Sequence, residues 1–131
     1  MSAHHYFRKF SYADSGMIPW LLVTEIMCQQ RATLSSLVAE RVAKFPASGE
    51  INRKVKDAAI VLSEVQAAYG GKALAVDHVD GLSLEFADWR FNLRASNTEP
   101  LLRLNVESRA DAALMQRKTA ELLALIGGEP G

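Results

Sequence analysis

Apolar and polar positions alternate along this chain with two different periods, and the change of period divides it into elements. From position 74 the period is two: Leu74, Val76 and His78, then Leu82, Leu84 and Phe86, then Trp89, Phe91 and Leu93, and last Leu102, Leu104 and Val106. Alternation of this kind puts every second side chain on one face of a pleated strand. Asp80-Gly81 between the first two runs is a strong hairpin signal, and a tight turn near Ala87 and Asp88 joins the second run to the third. Glu50 to Val55, with Ile51, Arg53 and Val55 in alternation, predicts one more strand. Helical spacing governs the rest. Lys56 to Tyr69 buries Ala58, Val61, Leu62 and Val65 and stops at Gly70-Gly71, while Ala110 to Ile126 turns Ala113, Leu114, Leu122 and Ile126 inward. Upstream, Asp14 and Ser15 cap a helix over Met17 to Gln29 that tolerates Pro19 in its first turn. It is apolar nearly all round, which predicts a place deep in a core. Thr33 caps a second helix with a buried stripe of Leu34, Leu37, Val38, Arg41, Val42 and Phe45, ended by Pro46.

The run "PASG" at 46 to 49 separates the two helices from everything that follows, so the predicted domains are 1–46, mainly helical, and 47–131. Helices segregated onto one face of an antiparallel meander make the second part an α+β module. No internal repeat is visible.

Composition narrows the partners. The 131 residues are 49% hydrophobic and 23% charged, with fifteen basic residues balancing fifteen acidic ones. A globular chain with no global field offers nothing to draw in nucleic acid or an anionic membrane, so an anion site must be local. The single cysteine, Cys28, excludes an intramolecular disulfide and suits a reducing cytoplasm. No signal peptide is visible, and the apolar run from Met17 to Met27 is far short of the ~20 residues that span a bilayer.

One stretch carries chemistry. Between the last two strands lies "RASNTEP", 94 to 100, dense in donors. Arg94 presents a planar fork matched to two phosphate oxygens. Ser96 and Thr98 add hydroxyls, Asn97 adds an amide, and consecutive backbone N–H groups in such a turn form an anion nest. Pro100 fixes the exit into the next strand. The competing reading is a polar hairpin connection in which Asn97 and Thr98 satisfy their own backbone. Arg103, returning toward the same end of the sheet, favours the anion site. Arg90, Asn92, Asn105 and Glu107 read as a solvated face with cross-strand ion pairs, and His78 as a strand residue without a site role.

The loop and its continuation, "RASNTEPLLRLNVES", together with "HHYFRKFSYADSGMIPWLLV" and "DGLSLEFADWRFNLR", resemble the bacterial phosphomannomutases of the α-phosphohexomutase superfamily, the isomerases of GDP-mannose synthesis, along essentially the whole chain. The resemblance implies the last part of such an enzyme, which interconverts mannose 6-phosphate and mannose 1-phosphate in the cytoplasm. It assigns Arg94, Ser96, Asn97 and Thr98 to the substrate's non-reacting phosphate, with Glu99 and Arg103 in support. It places Ser2 in the sugar-reading loop and gives His4 a part in proton transfer, to which an imidazole is suited. The family's Mg2+ sits on an aspartate loop, and its phosphoserine on a motif, that these residues do not include. The expectation is therefore that this chain alone is inactive and binds no metal. The alternative is a free-standing α+β module that binds a partner or RNA, but Trp89 and Phe91 alternate like core residues and not like exposed stacking platforms. The apolar 17–29 helix, lacking strands to cover it, predicts a homo-oligomer.

Overall fold

The computed structural model describes residues 4–96, 99 and 101–131. They form two compact units, Met1–Arg41 and Val42–Gly131.

In the first unit, β1 (Tyr6–Phe7) pairs antiparallel with β2 (Ala13–Asp14) across a 3-10 turn at Arg8–Phe10. Ser11 and Tyr12 reverse the chain with φ of 54° and 55°. This ribbon is missing from the sequence reading because two residues per strand are too few to show a period. Helix α1 (Met17–Gln30) follows, and then α2 (Leu34–Lys44), which runs across the boundary between the units. Ser15 Oγ accepts a hydrogen bond from Ile18 N at 3.3 Å, and Thr33 Oγ accepts one from Ser36 N at 3.2 Å, so both hydroxyls act as capping groups. Asp14 is not a cap; its carboxylate is engaged by His4 and His5.

The expected deep burial of α1 is not what the structure shows. Trp20 is 59% exposed, Leu21 55% and Leu22 47%. A helix apolar on every side needs partners on several sides, and the described residues of this unit supply a two-stranded ribbon and no larger sheet. The stripe on α2 fares likewise: Leu34, Val38, Val42 and Phe45 are all exposed.

The second unit is an α+β fold. Its elements in chain order are β3 (Ile51–Lys54), α3 (Ala58–Tyr69), β4 (Ala75–Asp77), β5 (Leu82–Glu85), β6 (Trp89–Ala95), β7 (Leu101–Ser108), α4 (Ala112–Ile126) and β8 (Glu129–Pro130). The strands make one six-stranded antiparallel sheet in the order β4-β5-β6-β7-β3-β8. The even-period residues from Leu82 to Val106 form its apolar face, and Val65 of α3 with Leu122 and Ile126 of α4 close the core over it. Ala58, Val61 and Leu62 pack where the spacing puts them. Ala113 is exposed, and Met115 joins Leu114 against the core instead. The reason is the helical period, which sets Ala113 about two and a half turns before buried Leu122 and Met115 about two turns before it; Asp111 caps the helix by accepting from Leu114 N at 2.8 Å. Asp57 does the same for α3, accepting from Ala59 N at 2.9 Å, so that helix begins at Ala58 and not at Lys56.

At one end of the sheet the aromatics gather. Phe86 stacks on Trp89 with ring centroids 4.3 Å apart, and Tyr69 meets Phe86, Trp89 and Phe91 edge-on. Burial, helped by the neighbouring Glu121 carboxylate, pushes the Tyr69 hydroxyl above its usual range. Strand β8 is absent from the sequence reading. It exists because Gly128, at φ +71°, brings the chain against β3 so closely that a Cβ there would sit 2.2 Å from Lys54 O.

Leu104 lies on β7 at the middle of the sheet and is fully buried. Leu104→Ala should lower stability by about 2–5 kcal/mol through lost transfer energy and the cavity left behind. Urea unfolding followed by Trp89 fluorescence or circular dichroism measures it, and a cost under about 1 kcal/mol would mean that this face is not a packed core.

Candidate functional site

The loop between β6 and β7 takes its place from the longest ladder in the sheet. Pairing runs from Trp89 opposite Ser108 to Ala95 opposite Leu102, so the strands stay in register up to the loop. Ser96 N then donates to Leu101 O at 2.9 Å and closes the loop at its base. Alternation sends Phe91 and Leu93 into the core, and Arg90, Asn92 and Arg94 to the opposite face. The β5–β6 turn with its aromatic cluster is at the other end of β6, so it takes no part in this site.

The ladder sets Arg94 directly opposite Arg103. Two cations facing each other across a strand pair repel, and a carboxylate lies between them. Glu50 Oε2 is 3.4 Å from Arg94 Nη2, and Glu50 Oε1 is 3.6 Å from Arg103 Nη1. Asp80 Oδ2 lies 3.9 Å from Arg94 Nη1. Both arginines are about one-third exposed, at 30% and 31% of their side chains. Their inner Nε atoms are screened from solvent and have no acceptor among the described residues. The guanidinium ends face outward with donors to spare, the condition for receiving an anion.

Neighbouring backbone holds Arg94 from the other side. Gly81, at φ +77°, follows Asp80 in the β4–β5 turn and lies so close to β6 that a Cβ would come within 2.6 Å of Arg94 Cβ and of Leu93 O. Asn92 Nδ2 donates to Asp80 O at 2.7 Å and to Ser83 Oγ at 2.9 Å, which ties that turn to the strand carrying Arg94. Glu50, Asp80, Gly81 and Asn92 all escaped the sequence reading as site residues. Asp80-Gly81 looked sufficient as a turn; strand parity put Asn92 on the Arg94 face, where it read as solvated surface, and nothing in the chain order brings Glu50 to the loop.

Among the predicted site residues, the structure brings Arg94, Ser96 and Arg103 to one end of the sheet, with Glu99 exposed between the strands. Asn97, Thr98 and Ser2 lie outside the described residues. His4 belongs to the first unit, where its Nδ1 hydrogen-bonds Asp14 Oδ2 and His5 N donates to Asp14 Oδ1 at 3.1 Å. The His4 hydrogen bond is the main cause that holds the Asp14 carboxyl below its ordinary range. Because the folded value is depressed, this interaction is present above the ordinary carboxylate range and is lost as pH falls through the lowered value. A carboxylate on Nδ1 fixes the orientation of the imidazole.

A predicted face of cross-strand pairs is present on the arginine side of the sheet, toward the end of the ladder away from the loop, where Arg90 Nη2 and Glu107 Oε2 are 2.7 Å apart. No group of three or more His, Cys, Asp or Glu among the described residues could hold a metal ion. The Mg2+ that the resemblance implies therefore finds no donor set among them. No helix among the described residues is long and apolar enough to cross a membrane.

Two family models match along the chain. Residues 50–124 match the phosphoglucomutase/phosphomannomutase C-terminal domain, and residues 1–45 match the alpha/beta/alpha domain III of the same enzymes. A phosphomannomutase of Escherichia coli is 62% identical over 126 residues, covering 96% of this chain and 28% of that protein. A phosphohexose mutase of Xanthomonas campestris pv. campestris is 58% identical over 128 residues, 98% of this chain and 29% of its own length. A crystal structure of a phosphoglucomutase/phosphomannomutase family protein from Burkholderia thailandensis aligns over 77% of this chain and 22% of its own, with 26% identity and a TM-score of 0.49. This chain belongs to the phosphoglucomutase/phosphomannomutase family. It spans between a quarter and a third of the length of the relatives it matches.

Gly81→Ala forces a Cβ into the Arg94 backbone and strains a left-handed position, so it should cost about 1–3 kcal/mol and shift the Arg94 amide resonance. Chemical unfolding and an amide NMR spectrum test both; an unchanged Arg94 resonance would show that the β4–β5 turn does not position this residue.

Proposed function

We propose that this chain supplies the phosphate-holding part of a phosphomannomutase that interconverts mannose 6-phosphate and mannose 1-phosphate through a bisphosphate intermediate. The observation that carries the reading is the Arg94–Arg103 pair at the mouth of the β6–β7 loop in a chain of this family. Arg94 grips the substrate phosphate that is not reacting, Ser96, Asn97 and Thr98 complete its donors, and Glu99 and Arg103 support the grip. Holding one end of the substrate leaves the other free for reaction and supplies positioning instead of bond chemistry. Ser2 belongs to the sugar-reading loop. His4, fixed by Asp14, takes the proton-transfer role near the sugar. The phosphoryl-bearing serine and the aspartates for Mg2+ are expected on other domains of the enzyme, and the junction with the last domain falls at 46–47. The setting is cytoplasmic GDP-mannose synthesis. A module that stacks RNA bases is not favoured, because Trp89 and Phe91 are 9% and 2% exposed.

In this reading α1 is built for cover by sheet strands that these residues do not include. Alone in solution, the chain hides Trp20, Leu21, Leu22 and Ile26 by pairing with a second copy, since together they exceed the apolar patch that soluble monomers usually tolerate.

Two measurements follow from these statements. Inorganic phosphate should shift the amide resonances of residues 94 to 99, Arg94→Ala should abolish those shifts, and neither protein should turn over mannose 6-phosphate; shifts that survive in Arg94→Ala place the anion elsewhere. Sedimentation equilibrium should show a dimer or larger species that Trp20→Glu weakens, and a strictly monomeric wild-type chain would refute the pairing.

A further inference from the structure

The carboxylate between the two arginines invites a question that phosphate binding alone does not answer. Glu50 gives one oxygen to Arg94 and the other to Arg103, at 3.4 and 3.6 Å. That is the two-point contact a phosphate would make with the same pair. Both distances exceed the about 2.7–2.9 Å of a close charge-assisted hydrogen bond, and the Glu50 side chain is 41% exposed. Such a contact offsets the repulsion between the facing cations yet holds its carboxylate loosely.

We propose that Glu50 is an internal stand-in for the substrate phosphate: it occupies the Arg94–Arg103 pair when the site is empty and must swing away when phosphate arrives. The inference rests on the phosphate-binding reading of the loop. It makes Glu50 a positioning residue that keeps two like charges poised side by side and lowers the site's affinity for anions. A phosphate dianion displaces it because it carries more charge and more acceptor oxygens than one carboxylate. The motion is confined to the side chain, because the segment before it is pinned to β7. Ser48 N donates to Val106 O at 2.9 Å, Val106 N donates to Ser48 Oγ at 2.9 Å, and Ser108 N donates to Pro46 O at 3.0 Å. Only Gly49, at φ +70°, separates this anchor from Glu50. Asp80, at 3.9 Å and touching only one of the two arginines at that range, is a weaker competitor.

The test is a titration of the 131-residue chain with inorganic phosphate, followed by amide NMR and by the Glu50 13Cδ resonance. Glu50→Gln and Glu50→Ala are compared with wild type, the second variant guarding against misfolding of the first. Both should bind phosphate about two- to fivefold more tightly, the span that an exposed ion pair contributes, and in the wild type the Glu50 13Cδ signal should move along the same binding curve as the Arg94 amide. A wild-type chain that binds phosphate at the loop while both variants bind it equally or more weakly overturns the stand-in role and leaves the loop reading intact. A static Glu50 signal through saturation overturns it as well. If wild type and variants alike show no phosphate response at residues 94 to 99, the loop reading fails and this inference falls with it.

Discussion

The β6–β7 ladder is the constraint on which the second unit depends. Seven paired positions from Trp89–Ser108 to Ala95–Leu102 fix one register, and a slip of either strand by one residue would exchange that strand's two faces. A slipped β7 would turn Leu104 and Val106 to solvent and Arg103 toward the helices, and a slipped β6 would do the same to Phe91, Leu93 and Arg94. The hydrophobic face therefore does two things. It drives the helices onto the sheet, and it delivers both arginines to the opposite face at the loop.

That delivery has an electrostatic cost, because the same register sets one arginine against the other. The structure meets it with Glu50 from β3's leading edge and with Asp80 from the β4–β5 turn. Gly81 and Asn92 hold that turn against β6. A pair of side chains mounted on paired strands is held more rigidly than one carried by a free loop.

The first unit shows the opposite case. Its helices form from local signals, the Ser15 and Thr33 hydroxyls and a left-handed Arg31 at the end of α1, without a core to receive them among the described residues. Helix formation is local in its hydrogen bonds, whereas burial is not. The apolar surface of α1 has no such cover among the described residues, and residues 1–45 match an alpha/beta/alpha domain.

The sequence by itself determined the elements of the last domain other than β8, its α+β class and its family. Period two and period three-to-four are written in residue type, and turn pairs such as Asp80-Gly81 are punctuation that needs no distant contact. The pairing of Arg94 with Arg103 was half legible: alternation put both on one face, but register decided that they face each other. Strand β8 and the starting points of α3 and α4 came from Gly128, Asp57 and Asp111, single residues whose weight depends on the backbone around them. Glu50 was beyond reach, being 44 residues from Arg94 along the chain. Only the return of β3 beside β7 brings its carboxylate to the arginines, and strand order across a sheet is decided by the packing of the whole domain and not by any local pattern.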